Sequence, residues 1–122
     1  MISGYNLKLK MPEIVYKSTK QIDDDEVLSL IKAIKDYFSQ VNVIYRADLT
    51  ISNNEWEDKC TEKGTKYKQR VDYTFCLMDL VKIELYDDCI KFIIHYSPDK
   101  VFKIPIGKDF FWFFEYESAF YD

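Results

Sequence analysis

The spacing of apolar residues predicts one amphipathic helix in the first third of the chain. The apolar positions recur at intervals of three and four and form one stripe: Val27, Leu30, Ile31, Ile34, Phe38 and Val41. Asp23 is placed to cap this helix, and Glu26 follows three residues later, as in a capping box. We therefore predict a helix over residues 23–39.

Period-two alternation predicts strands on both sides of this helix. Tyr5, Leu7 and Leu9 alternate with polar residues before Pro12, and residues 43–51 alternate in the same way. From residue 52 to residue 69 the alternation gives way to a polar run. That run is longer than most connections in compact domains, so it predicts a loop that is either mobile or functional.

An antiparallel meander is predicted for the following segment. Residues 71–85 keep one period-two pattern, which indicates two strands or one long strand bent near Met78 and Asp79. A turn at Asp87–Asp88 pairs this segment with the next strand, and a turn at residues 97–99 adds a third. The predicted neighbours are Leu85 with Ile90, Ile83 with Phe92, Val81 with Ile94 and Glu84 with Lys91, and then Phe102, Ile104 and Ile106 against Ile94, Phe92 and Ile90.

The chain ends in a block in which eight of the twelve residues 110–121 are aromatic. Residues 108–119 contain no Gly or Pro, which favours a closing helix. A helix buries one stripe and not its whole circumference. We therefore assign Phe110, Phe113, Phe114 and Phe120 to the core, and we predict that Phe111, Trp112 and Tyr116 remain for a partner.

Together these elements predict a single α+β domain over residues 1–122. An N-terminal amphipathic helix and a C-terminal aromatic helix would pack on an antiparallel meander. A chain of 122 residues is the size of one domain and is long enough to bury a substantial core.

The cysteine content and the lack of a long apolar run predict the cellular compartment of the protein. The net charge is −4, and the three cysteines, Cys60, Cys76 and Cys89, are an odd number at wide spacings. This pattern is not typical of a disulfide framework or a zinc site, and it indicates free thiols in a reducing cytoplasm. No run approaches the roughly 18 apolar residues that span a bilayer. We predict a cytoplasmic protein that does not interact with membranes.

The sequence contains no convincing catalytic or metal-binding pattern. His95 is the only histidine, and no nucleophile or orienting partner is evident for it. Asp48, Glu57 and Lys59 have the spacing of a metal-dependent nuclease motif, but the last two lie in the polar run, and such spacings recur by chance. We therefore predict no enzymatic activity, no cofactor and no metal.

The polar run carries the one basic stretch of the chain. If it binds nucleic acid, the contacting residues would be Trp56, Lys63, Lys66, Tyr67, Lys68 and Arg70, with lysines on phosphates and aromatic rings stacked on bases. Four acidic residues of the same run, Glu55, Glu57, Asp58 and Glu62, nearly neutralise it. Nucleic-acid binding is therefore the alternative hypothesis.

The leading hypothesis is a small acidic protein-binding module of the inhibitor type. Examples are a toxin-neutralising immunity protein or a phage-encoded inhibitor of a host defence system. Aromatic side chains are enriched at protein interfaces, and an acidic surface suits a basic partner groove. The C-terminal aromatic block would carry this contact, and it could also join two copies of the chain.

Overall fold

A computed structural model describes residues 10–39, 45–95, 100–107 and 109–118. These residues form seven strands, one α-helix and a short 3-10 turn over Leu77–Asp79. In chain order the elements are β1 (Glu13–Tyr16), α1 (Asp25–Phe38), β2 (Tyr45–Cys60), β3 (Lys66–Cys76), β4 (Leu80–Leu85), β5 (Cys89–Ile94), β6 (Lys100–Pro105) and β7 (Phe111–Ser118).

The strands form two sheets. The four-stranded sheet has the order β1-β4-β5-β6, with β1 parallel to β4 and the other neighbours antiparallel. The three-stranded sheet has the order β3-β2-β7 and is antiparallel. The predicted α+β architecture with two helices on one meander is therefore wrong, because the described residues are mainly strand and contain one α-helix.

Helix α1 lies where the apolar stripe is and starts one residue after its cap, Asp24. The Asp24 carboxylate accepts a hydrogen bond from the Val27 N–H at 3.1 Å, so Asp24 and not Asp23 is the N-cap. The buried face consists of Val27, Leu30, Ile31, Ile34, Tyr37 and Phe38. Within the described residues, no helix is long and apolar enough to cross a bilayer.

The meander exists, and part of its predicted register is confirmed. Ile83 lies opposite Phe92, and Leu85 lies opposite Ile90. The prediction that Val81 pairs with Ile94 is wrong, because an irregularity near the start of β4 puts Leu80 opposite Ile94 and leaves Val81 exposed. The second hairpin is displaced by two residues from the prediction. Phe102 faces Phe92, and Ile104 faces Ile90.

The polar run is not a loop. β2 continues through it to Cys60, and β3 returns from Lys66, so residues 54–70 form an exposed hairpin that we call the arm. Its turn is closed by backbone hydrogen bonds between Thr61 and Thr65 and between Gly64 and Thr61, with Gly64 at φ +86°. Both faces of the arm are exposed to solvent. Its strands therefore show no alternation of apolar and polar residues from which a strand could be predicted.

The C-terminal helix prediction is also wrong. Residues 111–118 form strand β7, which pairs antiparallel with β2 from Tyr45↔Ser118 to Ser52↔Phe111. Aromatic side chains fit a pleated surface well, and pairing with β2 satisfies the backbone of this segment. Phe120 and the predicted strand from Tyr5 to Leu9 lie outside the described residues.

The two sheets and α1 share one core. The ring of Phe75 on β3 lies 5.2 Å from that of Phe92 on β5 and 5.8 Å from that of Phe102 on β6, measured between centroids. The 3-10 turn carries the chain from β3 in one sheet to β4 in the other. The prediction of two separate strands within residues 71–85 is therefore confirmed, and the alternative of one long bent strand is wrong. β1, which sequence analysis missed, pairs with β4.

Candidate functional site

β7 is an edge strand whose two faces are both rich in aromatic residues. It pairs with β2 on one side, and on its other side no described strand pairs with it. Alternation directs Trp112, Phe114 and Tyr116 to the side of α1, and it directs Phe111 and Phe113 to the opposite face of the sheet. The predicted partner-binding set is thus divided, with Phe111 on one face and Trp112 and Tyr116 on the other.

Trp112 connects β7 to α1. Its indole N–H lies 3.2 Å from the Glu26 carbonyl oxygen and 3.3 Å from the Ser29 hydroxyl, and it donates to both. The Trp112 ring also lies 5.2 Å from the ring of Phe114. Trp112 therefore mainly joins β7 to α1, and less of its side chain is available to a partner than the sequence predicted.

A groove of about 320 Å³ runs between α1 and β7. Its walls are Ala33, Asp36, Tyr37, Trp112, Phe114 and Tyr116. The rings of Phe114 and Tyr116 meet edge to face at 5.9 Å, and Tyr116 is 59% exposed. The groove therefore offers aromatic surface beside a strand edge with which no described strand pairs.

Tyr37 closes the inner end of this groove and is 1% exposed. Burial raises the pKa of Tyr37 to about 12, and the nearby Cys76 and Tyr116 act in the same direction. A hydrogen bond with the Ala47 backbone opposes this shift. The hydroxyl therefore stays neutral and packs helix α1 against β2.

The other face of β7 carries Phe111 and Phe113. Phe111 lies under the Arg70 guanidinium, 5.3 Å from its ring centroid, and Arg70 is held by two hydrogen bonds to Asp72 at 3.0 and 3.1 Å. Burial alone would raise the pKa of Asp72, but hydrogen bonds from Arg70 and Ser52 lower it overall. Phe113 is 40% exposed, which contradicts its assignment to the core. The buried Phe110 agrees with its assignment.

The four sheet edges differ in how they are protected. Charged residues and prolines discourage pairing with other chains at an exposed edge, as does a very short edge strand. Such residues occur at three of the four edges: Pro12 and Glu13 at β1, Lys66, Lys68 and Arg70 at β3, and Lys100, Lys103 and Pro105 at β6. β7 begins with four aromatic residues, and its first charge is Glu115. Among the described edges, β7 is therefore the least protected.

The residues of the nucleic-acid hypothesis all lie on or beside the arm. Trp56, Lys66, Lys68 and Arg70 occupy one face by register, Tyr67 lies on the other, and Lys63 is in the turn. The structure therefore brings most of them together on one ribbon.

Ion pairs neutralise much of the positive charge on this ribbon. Lys59 binds Glu57 at 2.8 Å, Lys68 binds Asp58 at 3.5 Å, and Arg70 binds Asp72. The hydrogen bond with Glu57 raises the pKa of Lys59. Lys63 and Lys66 form no ion pair with any described residue, so they are the cations of the arm that remain for a polyanion.

The candidate catalytic residues do not converge. Asp48 and Glu57 lie opposite Cys76 and Gln69, which are seven residues apart on β3, so the two carboxylates are separated by about 23 Å along the sheet. Burial raises the pKa of the Cys76 and Cys89 thiols, which disfavours the reactive thiolate. In the part of the chain that the structure describes, no cluster of three or more His, Cys, Asp and Glu residues is arranged to hold a metal.

Sequence reading missed the strand edge and the groove. The detectable signal was the alternation of Phe111, Phe113 and Glu115 with Trp112, Phe114 and Tyr116, which is compatible with a strand as well as a helix. No protein-family model, no curated protein and no solved structure matches this chain at a significant level.

Proposed function

We propose that this chain is a protein-binding module that captures an extended segment of a partner protein at the free edge of β7. The observation that carries the proposal is the contrast between the sheet edges. The other three edges carry lysine, arginine or proline, whereas β7 carries none of these and begins with four aromatic residues beside a groove.

Strand addition explains why both the edge and the groove matter. Main-chain hydrogen bonds to β7 would supply the register and part of the affinity, and alternate side chains of the added segment would enter flanking pockets. On one side those side chains meet the groove with the exposed Tyr116, and on the other side they meet Phe113. Aromatic residues of this kind are enriched among energetically dominant interface positions.

The charge of the chain supports a basic partner. The net charge is −4, and Glu115 lies on the strand itself, while Asp36 in the groove wall is paired with Lys32 at 2.8 Å. Complementary charge favours association with a basic surface, such as the groove of a nucleic-acid-handling enzyme. In its narrower form, the proposal is an inhibitor without catalytic activity, such as an immunity protein or a phage-encoded blocker of a host defence.

A second copy of the chain is a competing occupant of the same edge. Two β7 strands that pair antiparallel would form a continuous six-stranded sheet with a self-complementary interface. Sedimentation over a range of protein concentrations distinguishes this arrangement from capture of another protein. Nucleic-acid binding by the arm remains the alternative function, with Lys63 and Lys66 as the contacting cations.

The test selects peptides from a displayed random library against the immobilised full chain and measures their affinity by calorimetry. We expect Phe113→Lys to weaken binding at least about tenfold, equivalent to about 1.4 kcal/mol, because it places a charge on the edge. Val101→Lys makes a similar apolar-to-charged change on the β6 edge, where the side chain is 57% exposed, and should leave binding unchanged. Melting temperatures verify that both variants are folded.

Hydrogen exchange locates the contact. The proposal requires that bound peptide protects backbone amides within residues 111–118 and leaves β6 unaffected. Protection elsewhere, or equal losses of affinity in the two lysine variants, would refute it. The narrower inhibitor proposal further requires that binding blocks the activity of a partner enzyme.

A further inference from the structure

The outward face of the four-stranded sheet carries a cluster of four lysines. Alternation and register place Lys17, Lys82, Lys91 and Lys103 on the side opposite the buried Ile83 and its neighbours. We call this surface the lysine face. It lies on the other sheet from the arm and from β7, so neither the proposed function nor its alternative uses it.

One carboxylate is shared by part of this cluster. Glu84 is 8% exposed, accepts a hydrogen bond from the Tyr86 hydroxyl at 2.9 Å, and lies 3.3 Å from Lys82 and 3.7 Å from Lys17. The hydrogen bond from Tyr86, followed by the two lysines, lowers the pKa of Glu84. Glu84 is therefore ionised, and its charge is already paired with Lys17 and Lys82.

Lys91 and Lys103 lack such compensation. They are direct cross-strand neighbours, and like charges in that position destabilise a sheet. Although Glu84 is the register partner of Lys91, the Lys91 ammonium lies over the Tyr86 ring, 5.3 Å from its centroid. Lys103 forms no ion pair with any described residue. Two adjacent lysines therefore form no ion pair with any described carboxylate.

The net charge of the lysine face is opposite in sign to the net charge of the whole chain. The lysine face holds four lysines and the carboxylates Glu13 and Glu84, and Asp88 lies at its edge beside Cys89, which gives a local charge of +1 in a chain of net charge −4. An unfavourable concentration of positive charge on an acidic protein is the arrangement expected where an anion binds.

We propose that the lysine face binds the phosphate backbone of single-stranded nucleic acid without sequence preference. A lysine ammonium group binds phosphate oxygens as a point charge that demands no fixed geometry, which suits contacts that do not depend on base sequence. Duplex DNA is read by a helix or ribbon that enters a groove, and the face of a four-stranded sheet has no such projection. A single strand can lie across an open sheet face, where its phosphates would meet the lysine ammonium groups.

The test measures the anisotropy of a fluorescently labelled oligothymidylate with the full chain at several salt concentrations. Lys17 and Lys82 are paired with carboxylates, so Lys91 and Lys103 are the two lysines counted here. If both neutralise phosphates, the slope of log K against log salt is about −1.4, so affinity falls about sevenfold between about 50 mM and 200 mM salt. Lys91→Gln combined with Lys103→Gln should remove that slope. The double variant should have a stability close to that of the wild type, because it removes both the repulsion between the two lysines and the contact of Lys91 with the Tyr86 ring.

Lys63→Gln combined with Lys66→Gln is the matched control, since it removes the same charge from the arm. It should leave both affinity and slope unchanged. Loss of binding in the arm variant alone would assign nucleic-acid binding to the arm and overturn the proposal. Absence of binding at about 50 mM salt, or equal competition by polyglutamate, would also overturn it. None of these results depends on the β7 edge, so the two proposals can fail separately.

Discussion

Raising the pH should destabilise this protein through Tyr37, the buried tyrosine that packs α1 against β2. Its pKa is about 12 in the folded chain, compared with 10 for an ordinary tyrosine, because burial disfavours the phenolate. A folded pKa above the unfolded value means that the stabilisation is complete below about pH 10. It is then lost as the pH rises towards 12.

The size of the effect follows from the shift. Each pKa unit corresponds to about 1.36 kcal/mol, so two units correspond to about 2.7 kcal/mol when the pH has passed both values. At about pH 11, midway between them, the loss is about 1.4 kcal/mol. Tyr37→Phe keeps the ring and removes the ionisable group, so this share of the pH dependence should disappear in the variant.

Urea denaturation of both proteins at about pH 8 and about pH 11 measures this loss. The wild-type free energy of unfolding should fall by about 1.4 kcal/mol more than that of Tyr37→Phe, because the other titrating groups are common to both chains. The measurement at pH 8 is the internal control for any packing difference. If the two chains lost equal stability between the two pH values, the buried environment of Tyr37 would be refuted.

Three further substitutions test the helix cap, the core and the contact between strand and helix. Asp24→Ala should lower the free energy of unfolding by about 1 kcal/mol, whereas Asp23→Ala should leave it nearly unchanged; the reverse order would contradict the observed cap. Phe92→Ala should cost about 3–5 kcal/mol in urea denaturation, and Val101→Ala, at an exposed site, less than about 0.5 kcal/mol. Trp112→Phe should lower stability by about 1 kcal/mol in thermal melts, because the indole N–H loses its acceptors on α1; no change would show that these bonds are not formed in solution.

Sequence reasoning was most accurate where the determinants are local. α1 was placed to within two residues at its start and one at its end, because its apolar stripe follows the helical period. The first hairpin of the meander was also placed largely correctly. A short turn fixes the register, and a slip of one residue would expose Ile83 and Leu85.

It failed where the pairing is distant in sequence. The C-terminal block is aromatic on both faces, so neither helical nor strand periodicity stands out. Its partner strand lies far away along the chain, as the pairing of Asp48 with Glu115 shows. The arm was missed for a different reason. Both of its faces are exposed, so backbone pairing holds the hairpin without an apolar pattern.

The same division applies to the candidate sites. Sequence reading singled out Trp112 and Tyr116, but it could not place them beside a helix or on an unpaired edge. The sequence correctly predicted that Lys91 pairs with Glu84. It did not predict that Lys103 lies opposite Lys91, because the second hairpin is shifted by two residues from the predicted register.

The sequence by itself therefore determined the helix, the apolar strands and the abundance of aromatic residues at the end of the chain. Periodicity and turn chemistry act over a few residues and can be read directly. Only the tertiary structure decided which strand became an edge and which side chains share a face. Those properties depend on pairing between β2 and β7, whose residues are brought together by the packing of α1 and two sheets around one core.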